Sequence, residues 1–174
     1  DFETDPVRPR TVVRFRTGAA KDGTLIARQA DVLVDCGAYV SWGAMTPVVM
    51  THTFGSFYTI PNAQFRSQAV YTNTAPTGAF RGFGNPEIIF ALETQMNEIA
   101  EGLGIDPLEL RLKNANYPGQ VTQQGSRITS CGMKECLEAV QQRLGPPGTP
   151  SAPHLKRGVG VAAVFHVGGG ARIY

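Results

Sequence analysis

Apolar and polar residues alternate along the first part of the chain, and this alternation predicts β-strands. Val13 and Phe15 alternate with arginines, and a second apolar run follows the Lys-Asp-Gly sequence at residues 21–23. Two such runs around a short turn containing glycine are typical of an antiparallel hairpin. The predicted strands are 11–16, 24–35 and 64–72, with a candidate short helix at 45–54 before the third.

Beyond residue 85 the apolar residues recur every three or four positions, which is the spacing of one face of an α-helix. The clearest case is Ile88, Leu92, Met96 and Ile99, which predict a helix over 86–102. Asp106-Pro107 is typical of a helix start with an Asp N-cap, and Glu109 completes a capping box. The other predicted helices are 106–114 and 131–144, the latter with Met133, Leu137, Val140 and Leu144 on one stripe.

These elements predict an α+β fold in which antiparallel strands carry three main helices. Residues 145–156 contain most of the prolines of the C-terminal part and are predicted to be a linker. The apolar run that starts at Arg157 predicts a buried strand, so 157–174 would open a following unit. Asp1 at the start and the end just after this run favour an internal fragment of a larger protein.

Composition narrows the function classes. With 42% hydrophobic residues in 174, the chain can bury a real core. A net charge of +2 with interspersed signs gives no basic stripe, which argues against nucleic acid as a partner. No apolar run is long enough to span a membrane, and no signal peptide is recognisable, so a cytoplasmic protein is expected.

The cysteines and histidines do not form a metal-binding pattern. Cys36, Cys131 and Cys136 are odd in number and lack the CxxC spacing of zinc sites. We expect structural thiols, because free cysteine is commonly buried. His52 is the residue most easily mistaken for a ligand, but a lone histidine is more often a hydrogen-bonded structural residue.

A glycine-rich stretch at residues 77–87 separates the third predicted strand from the longest helix, and it is the first place to look for function. Its three glycines allow positive φ and close approach of another molecule to the main chain. Asn85 is predicted to be the helix N-cap, with Pro86 at the first helical position. Such a helix start attracts anions and oxo groups.

Two alternatives compete for this stretch. It could be a simple connecting turn, with Phe80 and Phe83 buried as core aromatics. It could also bind a nucleotide, but Gly82-x-Gly84 lacks the third glycine of the dinucleotide fingerprint, and no Gly-Lys-Ser/Thr follows for a phosphate-binding loop.

Three segments resemble one family, the molybdenum-binding subunit of the xanthine dehydrogenases and aldehyde oxidoreductases. They are GAFRGFGNPE at 78–87, GLGIDPLELRLKNA at 102–115 and CGMKEC at 131–136. The resemblance covers most of the chain after about Leu25. It implies that the chain is part of a larger molybdopterin-binding domain in an enzyme that hydroxylates a carbon with oxygen from water.

The resemblance also implies roles for individual residues. Arg81 matches the family arginine beside the metal, and its permanent charge can stabilise oxo groups or developing negative charge. Ala79, Phe80, Arg81 and Gly82 match the segment that contacts the molybdenum pyranopterin. Phe83 matches the aromatic residue that stacks on a ring-shaped substrate. Partner domains or subunits would carry 2Fe-2S clusters and FAD, and no residue of this chain is expected to ligate the metal.

Departures from the family pattern bear on the substrate. Val49 stands where purine-hydroxylating members have an arginine, counted without gaps from Arg81, which points away from xanthine. Carbon monoxide dehydrogenases usually have a small residue at the position of Phe83, so an aldehyde or N-heteroaromatic substrate is expected. The family's catalytic glutamate and its glutamine-bearing glycine motif are not found here, so the isolated chain is expected to be inactive. The alternative is a non-catalytic interaction or assembly domain that keeps the scaffold without metal.

Overall fold

The computed structural model describes residues 6–145 and 148–166, in which three strands and four helices form an α+β fold. This confirms the predicted fold class. The strands are β1 (Thr11–Ala19), β2 (Leu25–Asp35) and β3 (Asn62–Val70), and the helices are α1 (Thr46–Ser56), α2 (Asn85–Leu103), α3 (Pro107–Lys113) and α4 (Met133–Arg143). A short 3-10 turn, Trp42–Met45, leads into α1.

The predicted hairpin is present. β1 and β2 pair antiparallel with Thr11 opposite Val34. Gly23 closes the turn with φ +86°, and its N–H donates to the carbonyl of Ala20 at 2.9 Å. Glycine adopts a positive φ readily because it has no Cβ. A Cβ at position 23 would also lie 2.9 Å from the Ile105 side chain.

The third strand departs from the prediction in its direction. β3 pairs parallel to β2, with Ala27 opposite Asn62 and Asp35 opposite Val70, so the sheet is mixed rather than wholly antiparallel. The reason is the connection: α1 carries the chain back along the sheet, and the next strand then starts at the same end as β2. Strand direction depends on this crossover, which alternation within the strand does not reveal.

The core lies between one face of the sheet and the helices α1 and α2. Phe54 of α1 stacks on Phe15 of β1 with ring centroids 5.8 Å apart and contacts Phe65 of β3 at 5.2 Å. The α2 stripe predicted from spacing is confirmed at Ile88, Leu92 and Met96, each of which is fully buried. Burying residues of this size stabilises the fold by about 1.5–3 kcal/mol each.

An asparagine that directly follows helix α3 links it to the β1–β2 hairpin by hydrogen bonds. The Asp106 side chain caps α3 by accepting from the N–H groups of Leu108 and Glu109, as predicted for the cap, whereas no hydrogen bond from the Glu109 side chain to the cap is present among the described residues. At the other end, Asn114 accepts from the Leu25 N–H and donates to the Gly23 carbonyl, both at 2.9 Å. This explains why a polar residue follows the helix directly.

The C-terminal part differs most from expectation. In α4 only Leu137 of the predicted stripe is buried, while Val140 and Leu144 are exposed. Residues 157–166 contain no strand, because none of the described residues supplies a ladder of backbone partners, and 167–174 lie outside the described residues. The assignment of 145–156 as a linker and of 157–174 to a following unit stays a prediction. No described helix has the length and apolarity needed to cross a membrane.

Candidate functional site

The glycine loop, residues 78–84, is held at its entry by Thr77. The buried Thr77 donates from Oγ1 to the Asp35 carbonyl at 2.8 Å and from its N–H to the Cys36 carbonyl at 3.2 Å. Gly43 packs directly on Thr77, and a Cβ at position 43 would lie 2.3 Å from Thr77 Oγ1. The loop therefore starts from a fixed point at the end of β2.

Asn85 holds the exit of the loop, in a different way from the one predicted. The N-cap of α2 is Gly84, with φ +92°, and Asn85 is already helical. The Asn85 side chain is buried, donates to the Gly82 carbonyl at 3.1 Å and accepts from Thr53 of α1. The predicted N-cap role is thus wrong, because these two partners hold the amide away from the first N–H groups of the helix.

The loop backbone adopts a conformation that ordinary residues rarely accept. Gly82 and Gly84 have φ +92°, and Phe83 between them has φ +41°. A Cβ at position 82 would lie 2.5 Å from the Pro86 side chain, and one at position 84 would lie 2.8 Å from the Thr46 carbonyl. A non-glycine residue at positive φ persists only when its surroundings hold it there, and such positions cluster at functional sites.

Several loop N–H groups make no hydrogen bond with the residues that the structure describes. Phe80 donates its N–H to Gly78 and Phe83 donates its N–H to Phe80. By contrast, the N–H groups of Ala79, Arg81 and Gly82 make no hydrogen bond with any described residue. Three of the four residues predicted to contact the cofactor therefore offer free main-chain donors, while the fourth, Phe80, has its N–H engaged within the loop.

The side chains of the loop are displayed at the surface. Arg81 is exposed and forms no ion pair or side-chain hydrogen bond with the described residues. Phe80 is 52% exposed, so the alternative that it is a core aromatic is wrong. Phe83 is half-buried and meets Trp42 edge-on, with ring centroids 6.2 Å apart. Trp42 is 65% exposed, and it extends the aromatic surface beside Phe83.

A second residue at the site, Arg8, was not predicted. Its Nη2 donates to the Arg81 carbonyl at 2.6 Å, its Nη1 lies 3.2 Å from Glu87 Oε2, and its guanidinium carbon lies 4.8 Å from the centroid of the Phe80 ring. Arg8 lies 73 positions before Arg81 in the chain, and Trp42 is likewise distant in sequence from Phe83. No local pattern connects residues at such separations.

Behind the loop, α2 carries the buried carboxylate of Glu93, which the apolar spacing used to predict α2 did not reveal. Glu93 accepts hydrogen bonds from Tyr58 Oη at 2.6 Å, from Arg111 Nε at 2.8 Å and from the Ala163 N–H at 2.7 Å. Burial and the Glu93 charge raise the pKa of Tyr58, so the phenol stays protonated and donates. This cluster is internal and satisfied, which marks it as part of the scaffold.

Arg28 is a further buried cation beneath the sheet. Its Nε donates to Thr17 and its Nη2 to the Met96 sulfur, and its Nη1 finds no partner among the described residues. Burial lowers the pKa of Arg28 to about 10, so the group remains charged at neutral pH.

A large, mainly apolar cavity lies away from the glycine loop. It encloses about 740 Å³ between α1, α4 and residues 162–165, and no charged side chain lines it. His52, Cys131 and Cys136 border it, whereas Cys36 is buried elsewhere, and burial raises the pKa of its thiol. Burial of the thiols is therefore confirmed for Cys36 but wrong for the exposed Cys136. Within the described residues, no three metal-ligating side chains come together.

The loop has the chemistry to hold an anionic, oxygen-rich ligand. Free N–H groups at a helix start donate to oxygen atoms, and the guanidinium of Arg81 adds a permanent positive charge beside them. The aromatic pair of Phe83 and Trp42 lies next to these donors and can contact a flat organic molecule. We therefore assign the candidate site to the loop rather than to the apolar cavity.

Known proteins of one family are similar to this chain over most of its length. Residues 1–115 match the family model described as the molybdopterin cofactor-binding domain. The chain is 37% identical over 151 residues to the xanthine dehydrogenase molybdenum-binding subunit of Escherichia coli O157:H7, covering 83% of this chain and 20% of that protein. It is 41% identical over 133 residues to the nicotinate dehydrogenase large molybdopterin subunit of Eubacterium barkeri, covering 74% and 30%.

A solved structure shows the same architecture. The aldehyde oxidoreductase of Desulfovibrio gigas superposes with a TM-score of 0.75 at 36% identity, over 78% of this chain and 15% of that one. The chain thus spans less than a third of the length of each of these relatives.

Proposed function

Because the chain belongs to the family of molybdopterin cofactor-binding domains, we propose that it supplies one wall of the cofactor site in a molybdenum hydroxylase large subunit. The proposed enzyme oxidises an aldehyde or an N-heteroaromatic compound and adds oxygen taken from water. The observation that carries this proposal is that the N–H groups of Ala79, Arg81 and Gly82, beside an exposed arginine, bond to no described residue.

Each loop residue has a distinct task in this proposal. The N–H groups of Ala79, Arg81 and Gly82 bind oxygen atoms of the pyranopterin cofactor, which fits their free donors. When bound, the molybdenum centre supplies the oxygen-transfer and two-electron redox chemistry. The guanidinium of Arg81 stabilises negative charge that develops in the transition state, because a pre-organised donor costs no reorganisation during the reaction.

The aromatic surface supports the proposed substrate class. The backbone of Phe83 has a positive φ, and its ring contacts Trp42 edge-on. These two features orient the plane of the Phe83 ring. A fixed ring orients a flat substrate through offset or edge contacts. Val49 of α1, at the position where purine-hydroxylating relatives have an arginine, offers no charge for a purine oxygen, which favours other heteroaromatics or aldehydes over xanthine.

The electrons released have to leave the site, and we propose that 2Fe-2S and FAD domains or partner subunits receive them. One relative is itself described as a molybdenum-binding subunit, which supports an assembly of several subunits. We also propose a cytoplasmic location. No catalytic base is assigned within this chain, because the family's catalytic glutamate is not found in it, and Glu87, which follows the loop, faces Arg8.

The full-length protein, produced together with its neighbouring subunits, tests the proposal. We expect about one molybdenum per large subunit by elemental analysis. Turnover of an N-heteroaromatic substrate in ¹⁸O-labelled water should place one labelled oxygen at the hydroxylated carbon. An aldehyde exchanges its own carbonyl oxygen with water, so it is tested by turnover alone. A correctly folded full-length protein without molybdenum would instead support the non-catalytic assembly domain.

The 174-residue chain alone is expected to bind no stoichiometric molybdenum and to catalyse no hydroxylation. One wall of a site cannot reproduce the pre-organised geometry of all cofactor contacts. Elemental analysis of the purified chain checks this, and stoichiometric metal with measurable turnover would contradict it.

A further inference from the structure

The N-terminal arm, residues 6–10, lies along the glycine loop. The Gly78 N–H donates to the Val7 carbonyl at 3.1 Å, and Val7 forms a parallel bridge with Thr77. A Cβ at position 78 would lie 2.7 Å from the Cβ of Pro6, so the two backbones approach as closely as a glycine permits. The arm backbone therefore places the next residue, Arg8, over the loop.

The Arg8 side chain makes three contacts around the loop, with the Arg81 carbonyl, with Glu87 and with Phe80. One nitrogen holds the Arg81 carbonyl, the other faces the Glu87 carboxylate of α2, and the guanidinium plane covers the Phe80 ring. A planar guanidinium can make all three contacts at once, whereas the ammonium of lysine acts as a single point charge.

The contact with the Arg81 carbonyl has a geometric consequence for a proposed cofactor donor. In a trans peptide the carbonyl and the following N–H point in opposite directions. Since the Arg81 carbonyl points at Arg8, the Gly82 N–H points away from the arm. That N–H has no hydrogen-bond partner among the described residues.

The same contact supports a conformation that the loop would not keep by itself. Glycines at 78, 82 and 84 leave the backbone free to rearrange. Gly82 at φ +92° and Phe83 at φ +41° nevertheless follow directly on the carbonyl that Arg8 holds. The contact therefore stands just before the segment whose conformation needs external support.

We infer that Arg8 is a positioning residue, which holds the glycine loop in the conformation that presents the Gly82 N–H and the Arg81 side chain to the cofactor. This inference rests on the proposed function. Arg8 does not itself present a donor to the ligand, because its nitrogens face Arg81 and Glu87. The Arg8 side chain is 32% exposed, but the Glu87 side chain is 10% exposed and its carboxylate oxygens are buried, so losing Arg8 also costs global stability. Exchange in the loop compared with exchange in the core isolates the effect of Arg8 on the loop.

Arg8→Met in the full-length protein removes all three contacts, and Arg8→Lys keeps a charge near Glu87 without the planar fork. Glu87→Gln removes the ion pair but leaves the bond to the Arg81 carbonyl. Arg10→Met, in the same arm and exposed, is the matched control. Hydrogen–deuterium exchange over 78–86 gives a readout independent of activity, because the N–H groups of Phe83 and Asn85 are hydrogen-bonded within the loop.

We expect Arg8→Met to accelerate exchange over 78–86 roughly tenfold, the change that follows from losing about one charge-assisted hydrogen bond. In the loaded enzyme kcat should fall by a similar factor with KM nearly unchanged. Arg8→Lys should recover part of both losses, and Glu87→Gln should lose less than Arg8→Met. Arg10→Met should match the wild type.

Exchange and kcat in Arg8→Met equal to those of Arg10→Met would overturn the inference. So would exchange that accelerates across the whole core as much as in the loop, or Arg8→Lys behaving like Arg8→Met in every readout. Failure of the proposed function is distinguishable, because it shows as a wild-type protein without molybdenum. Loop exchange in that protein still decides whether Arg8 holds the loop.

Discussion

Two charged regions of this chain differ in whether their polar groups are hydrogen-bonded within the described residues. The carboxylate of Glu93 lies inside the protein and accepts from three donors, and its partner Arg111 also bonds to the Pro107 carbonyl and to Asn97. Arg81 in the glycine loop lies at the surface, and neither its side chain nor its N–H bonds to any described residue.

The difference separates scaffold from site. A buried charge without partners would cost several kcal/mol, and behind α2 Glu93 and Arg111 are paired with each other and hydrogen-bonded to further groups. The loop N–H donors bond to no described residue, and the positive-φ backbone that carries them is supported by contacts from outside the loop, such as the one from Arg8. Polar groups with their partners inside the fold contribute to stability, whereas donors that bond to no described residue are available for binding.

The largest expected effect concerns the scaffold. Glu93→Gln should lower the free energy of unfolding of the 174-residue chain by about 3–5 kcal/mol, because Arg111 is left as a buried charge without a counter-charge. Urea unfolding followed by circular dichroism measures it, with the exposed Glu98→Gln on the same helix as control. A loss below about 1 kcal/mol would show that the network is not needed for the fold.

A smaller effect is expected where the loop meets α2. Gly84→Ala forces a Cβ into positive φ and to within 2.8 Å of the Thr46 carbonyl, and it should cost roughly 2 kcal/mol. Gly102→Ala is the matched control in α2, since a Cβ there meets nothing within 4 Å, and alanine should stabilise the helix by about 0.5–1 kcal/mol. Equal changes in the two unfolding curves would contradict the strained geometry of the loop.

The smallest effect concerns substrate choice at the loop. In the full-length enzyme, Phe83→Ala should reduce kcat/KM for a flat heteroaromatic substrate by about fivefold, the equivalent of about 1 kcal/mol of ring contact. Acetaldehyde, which has no ring, should be affected much less. Phe90→Ala, an exposed aromatic on α2, is the control. Equal losses for both substrates would argue against a stacking contact.

Sequence alone predicted the parts of the fold that local chemistry decides. The turn at Gly23, the α2 stripe through Leu92 and the Asp106 cap each depend on residues within a few positions of one another. The direction of β3 was not predictable, because it depends on how α1 crosses the sheet. The strand expected after Arg157 stays a prediction, because residues 157–166 pair with no described strand and 167–174 lie outside the described residues.

In the candidate site, too, local features were predicted from the sequence and long-range contacts were not. The glycine spacing around Arg81 identified the loop, and the structure shows its predicted residues at the surface. The partners that shape it were missed, because Arg8 and Trp42 reach it from distant parts of the chain and Asn85 bonds to Thr53 of another helix. The burial of Glu93 was missed because the α2 stripe counts only apolar residues, and its partner Arg111 lies in α3.

Turnover per bound molybdenum in Arg81→Met is the measurement that most directly tests the central claim, that the loop arginine acts on the reaction and not on the fold. We predict a loss of roughly 10²-fold or more, since removing one donor aimed at developing charge costs about 3–4 kcal/mol, with metal content and melting temperature largely kept. Arg81→Lys should recover only part of the rate, because a point charge does not reproduce the planar fork. Unchanged turnover per molybdenum, together with lower stability or metal loss, would contradict the account and make Arg81 a structural residue.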